Sequence, residues 1–97
     1  MGNCTAEVLN GTADLLEKDG WCQFHSGDYY EGPRCLDSAL AYFASEGFAA
    51  YWLAHEALRS RIGILSNWND VDGRSEGEVL ALLRETATFL DALDFLC

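Results

Sequence analysis

Between Thr5 and Asp19 the positions Val8, Leu9, Thr12, Leu15 and Leu16 recur at the spacing of one helix face. Thr5 is a suitable N-cap, and Glu7 in the first turn complements the helix dipole. Asp19-Gly20-Trp21 then reads as a stop, with Gly20 able to turn left-handed and Trp21 placed to fold back on Leu16. The stretch WCQFHSGDYYEGP, Trp21 to Pro33, lacks helical periodicity and suits an extended segment or a small hairpin. Pro33 fits the first turn of a second helix, whose stripe is Leu36, Ala39, Leu40 and Phe43.

Glu46-Gly47 interrupts or ends that helix. Beyond it, Phe48, Tyr51, Trp52, His55, Leu58 and Ile62 form a stripe on a helix that also carries Ala49, Ala50, Leu53, Ala54 and Ala57. Apolar residues on nearly every side predict a central helix, with His55 as a hydrogen-bonded core histidine. Arg59 and Arg61 suit its C-terminal end. Ser75-x-x-Glu78 is a capping box opening a last helix that runs to about Phe95, with Val79, Leu83, Thr86, Leu90 and Leu93 on one face, flanked by Leu82 and Phe89. The expected fold is therefore all-α: one domain, residues 1–97, a bundle of about four helices with an irregular aromatic-rich loop or small hairpin between the first and second.

Composition narrows the partners. Ninety-seven residues with 49% hydrophobic side chains suffice for one core and are too few for two. The formal charge of −10 opposes binding to nucleic-acid phosphate or anionic lipid. The acidic residues are scattered from Glu7 to Asp94, as solvated helix faces would scatter them. No secretory leader or membrane-length apolar run is present in the sequence, which predicts a cytoplasmic protein whose sequons at Asn3 and Asn10 are unused. Met1-Gly2-Asn3-Cys4 departs from an acylation signal because Ala6 replaces the required Ser or Thr.

The segments DGWC, RCLDSAL, NWNDVDGRS and EVLALLRETA resemble, in that order, a small family from actinobacteria and their bacteriophages known only as a domain of unknown function. The similarity covers most of the chain. It implies a phage or actinobacterial origin, and it implies no activity, cofactor or catalytic residue.

Tested one by one, the usual chemical constellations fall short. Cys22-x-x-His25 with Cys35 makes part of a zinc site, but no fourth ligand follows at regular spacing, so thiols without metal are expected. Asp70, Asp72 and Gly73 suggest a calcium loop, yet registering on Gly73 puts Trp68 at the first ligand position and Val79 at the bidentate acid. There is no phosphate loop, zinc-protease helix or nucleophile elbow. Cys22 with His25 or His55 lacks any marked oxyanion hole or orienting group, so no enzyme and no cofactor are predicted.

Two functional readings stay open. One is an interaction protein that binds and modulates a host protein through Trp21, Phe24, Tyr29 and Tyr30, aromatics in excess of what a short loop needs for packing. The other is a binder of a nucleotide-like small molecule, stacking it on Trp21 and Trp68 and reading its polar edge with Asn69. A phosphorylated ligand would require Arg34, Arg59, Arg61 or Arg74 to converge. Trp68, Asn69 and Asp70 carry a third meaning: the Trp ring closing the gap between two helix ends while its polar neighbours bond backbone amides left unpaired by a tight connection.

Overall fold

The computed structural model describes residues 5–24, 32–44 and 47–92. His25, Tyr29, Tyr30, Leu93 and Phe95 lie outside them, as do Cys4 and Cys97. Five helices follow one another among the described residues: α1 (Thr5–Asp19), α2 (Leu36–Phe43), α3 (Phe48–Ile62), α4 (Leu65–Asn69) and α5 (Glu76–Ala92). No named strand occurs there; an isolated parallel bridge joins Trp21 to Arg34, and the middle of the stretch read as a loop or small hairpin, residues 25–31, lies outside the described residues.

The most extensive helix pairing is between α1 and α5. Val8, Leu9, Ala13 and Leu16 of α1 meet Val79, Leu82, Leu83 and Ala87 of α5 in one buried cluster, which Leu36, Ala39 and Leu40 of α2 join. Each such leucine removed from water contributes about 1.5–3 kcal/mol. Thr12 sits in this core because its hydroxyl donates to the Val8 carbonyl one turn back, at 2.8 Å. Along the rim, the Arg84 guanidinium of α5 donates to Asn10, Asp14 and Glu17 of α1.

Several boundaries differ from the expectation, each for a local reason. Thr5 is the first residue of α1 itself. Pro33 stands outside α2, because the neighbouring Arg34 N–H is committed to the Gly20 carbonyl across the bridge and Cys35, in an extended conformation, is the N-cap. Phe43 ends α2 leaning over α1 at Gly11, where an added Cβ would collide with its ring; that contact needs glycine.

α3 is not central. It buries Ala54 and Leu58, but Trp52 and Leu53 remain 43% and 46% exposed, so part of its all-round apolar character faces outward. Its His55 is not a hydrogen-bonded core histidine either: Nδ1 is 3.7 Å from the Glu56 carboxylate with no hydrogen-bond partner, and the ring lies against Tyr51 and Trp52. Phe89, expected on the packed face of α5, is 57% exposed. The capping box forms as read, with Glu78 N–H donating to Ser75 Oγ and Ser75 N–H to Glu78 Oε1. The Ser75 amide, more than the nearby Arg74 charge, holds the Glu78 carboxyl below its ordinary range.

Candidate functional site

The residues singled out around Trp68 do converge with Trp21, and Asn69 is the reason. It closes α4, the short helix that replaces an expected loop, and is completely buried. Its Oδ1 accepts from Trp21 Nε1 at 2.6 Å and from the Leu36 amide at 3.0 Å. Its Nδ2 donates to the Cys22 carbonyl at 3.1 Å and to Asp70 Oδ1 at 2.9 Å. An amide side chain can accept twice and donate twice, so Asn69 is used to capacity.

These bonds link three parts of the chain. The stretch after α1 is tied through Trp21 and Cys22, and the start of α2 through Leu36, whose amide at the first helical position has no partner inside its own helix. Around this centre, Gln23 Nε2 donates to the Asn69 and Val71 carbonyls at 3.1 and 2.7 Å, and the Phe24 amide donates to Asp70 Oδ1 at 2.9 Å. Trp68 packs against the core cluster, and the Arg74 guanidinium covers its ring 3.8 Å from the centroid while Arg74 Nε donates to the Trp68 carbonyl. The arrangement is a clasp of protein on protein, with the polar edge of Asn69 turned inward.

The arginines do not form an anion pocket. Arg34 is buried, its Nη1 3.7 Å from Asp19 and its guanidinium 4.1 Å from the centre of the Tyr42 ring. Arg61 donates to Thr86 Oγ1 and Arg74 to Glu78. Gln23 is the part of the clasp that sequence reasoning missed, and Arg34 and Arg74, read there only as candidate anion ligands, serve within the chain instead. An isolated Gln or Arg carries no periodic or spacing signal, since its role depends on a partner elsewhere in the chain, such as the Asn69 carbonyl for Gln23.

The family model for DUF6197, a family of unknown function, matches residues 2–89, a span that contains every element of the clasp. The chain belongs to DUF6197. No curated protein and no solved structure matches it. No cluster of three or more His, Cys, Asp or Glu side chains suited to a metal ion occurs among the described residues, and none of the helices there is long and apolar enough to cross a membrane.

The Tyr51 hydroxyl donates to Asp37 Oδ1 at 2.7 Å, joining α3 to α2. Burial first, then that bond and the Asp37 charge, push its pKa well above the ordinary phenol value. A folded-state pKa raised above the unfolded value gives stability that is complete below about pH 10 and is lost as pH rises beyond it. Spectrophotometric titration of the native protein should show one phenol resisting ionisation past that point, a component absent from Tyr51→Phe.

Proposed function

We propose that this protein is a small acidic interaction module, of phage or actinobacterial origin, that docks on and modulates a host protein through the aromatic end of the clasp. The observation that carries this reading is Phe24. Its backbone is left-handed, at φ 58°, and its ring is 73% exposed. That conformation costs a residue with a side chain about 1–2 kcal/mol, and the exposed ring recovers little of it by packing. Asp70 holds the strained backbone in place through the Phe24 amide. Strain retained around an exposed aromatic motivates a surface use, because stability alone favours glycine there. Val71, 47% exposed, directly follows Asp70, whose carboxylate accepts from the Phe24 amide, and would add apolar surface at the same end of the clasp.

A nucleotide-like ligand has less to hold. The Asn69 amide is fully engaged within the chain, and one face of Trp68 is covered by Arg74.

Phe24→Gly separates binding from folding. It should melt at or slightly above the parent temperature, since it relieves the left-handed strain. Affinity purification from host lysate, quantified by mass spectrometry, should recover a protein with the parent chain that Phe24→Gly loses. Identical recovery with both chains would overturn the proposal.

A further inference from the structure

We propose that Cys22 and Cys35 form a dithiol site for thiol–disulfide exchange, in which a small-molecule disulfide converts the pair to an internal disulfide closing residues 22–35. The inference is independent of any role for Phe24. It starts from the register of the bridge: Trp21 pairs with Arg34 in parallel, the Arg34 amide donates to the Gly20 carbonyl, and the Cys22 amide donates to the Arg34 carbonyl. The next residues along are Cys22 and Cys35. Cys35 is itself still extended, at φ −79° and ψ 169°, so the strand-like geometry continues through it.

Neighbouring extended strands run about 4.8 Å apart, within the Cα separation of about 4.4–6.8 Å that a disulfide spans. Side chains alternate along an extended segment. Trp21 and Arg34, which turn toward the interior, therefore leave Cys22 and Cys35 together on the opposite side. Both thiols are half-buried and neither is in a disulfide. A second observation fixes the two segments beside each other: the Asn69 side chain bonds the Cys22 carbonyl and the Leu36 amide at once. Cys35 is also a weak N-cap, its sulfur accepting from the Ser38 amide at 3.4 Å. Serine would cap better, so the thiol is not there for capping strength.

The exchange balances without any further reactant. One cysteine thiolate attacks a sulfur of the small disulfide, expelling one small thiolate and leaving a mixed disulfide. The second cysteine thiolate attacks the protein sulfur of that bond and expels the other. Two cysteine thiols are oxidised, the small disulfide is reduced to two thiols, and the two cysteine protons end on the two leaving groups. Burial, the mutual proximity of the thiols and the Asp70 carboxylate push the Cys22 thiol up, and burial does the same for Cys35, so exchange quickens as pH rises above neutral.

The test uses the full chain carrying Cys4→Ser and Cys97→Ser, native and at mildly alkaline pH, with excess oxidised glutathione. The expected product is lighter by two hydrogens and free of glutathione, yields a Cys22–Cys35 cross-linked peptide, and melts about 5 °C or more higher than the reduced form, with reductant reversing both changes. Adding Cys35→Ser, which keeps a capping residue, should stop the reaction at one glutathione adduct on Cys22. Stable adducts on both cysteines of the folded chain, a cross-link that forms only in denaturant, or an oxidised form that melts lower than the reduced form would each overturn the site.

Discussion

Asn69→Ala should lose about 3–5 kcal/mol of folding free energy, read as a lower denaturation midpoint in urea. The substitution removes a side chain that makes four hydrogen bonds from a fully buried position. It leaves the Trp21 indole N–H, the Leu36 amide and the Cys22 carbonyl without that partner. An unsatisfied buried polar group costs about 1–3 kcal/mol, and the three losses are not independent because they share one residue. The total is large against the 5–15 kcal/mol that holds a typical domain together. Asn69→Asp is the informative companion. It keeps an acceptor for Trp21 and Leu36, but points a carboxylate oxygen at the Cys22 carbonyl and the Asp70 carboxylate, so it too should be destabilised at neutral pH. Burial and the Asp70 charge disfavour ionisation of that carboxyl, so the deficit should shrink as pH falls toward the ordinary Asp range and grow as pH rises from it.

Arg34→Ala should cost about 3 kcal/mol or more. Arg34 heads the fully buried large side chains, and its loss both empties the space under the bridge and leaves Asp19 without the cation 3.7 Å away. Arg34→Met restores most of the volume without the charge, so it should recover part of the loss. Thermal melts of the two variants separate the packing contribution from the ionic one. Equal stability of Arg34→Ala and the parent would mean that the guanidinium contributes nothing net to the fold.

Helix periodicity carried most of the architecture because it depends only on near neighbours. The stripe from Val8 to Leu16, the Gly20 stop and the Ser75–Glu78 capping box all appear where the pattern puts them. The failures have two causes. α3 reads as enclosed because its apolar residues surround the axis, yet which side faces solvent is decided by the helices that pack on it, most of them distant in sequence. α4 was hidden because five residues are too few to show a period. Tyr29 and Tyr30, the other aromatics read as binding residues, lie outside the described residues.

The Trp68-Asn69-Asp70 knot could be recognised as a polar connection beside an aromatic. Its real partners, Trp21, Cys22, Phe24 and Leu36, lie 33 to 48 residues away, and no local rule assigns them. For the same reason Asn69 could be read as a pin or, less readily, as a recognition edge.

The clasp is most directly tested at the Leu36 amide, by hydrogen–deuterium exchange followed by NMR. An amide at the first position of a helix has no acceptor in that helix and ordinarily exchanges fast. Here it donates to Asn69 Oδ1 in the buried interior. The expected result is protection of Leu36 comparable to the core amides of α1 and α5, lost selectively in Asn69→Ala under conditions where those helices remain protected. Fast exchange at Leu36 in the parent protein would contradict the clasp.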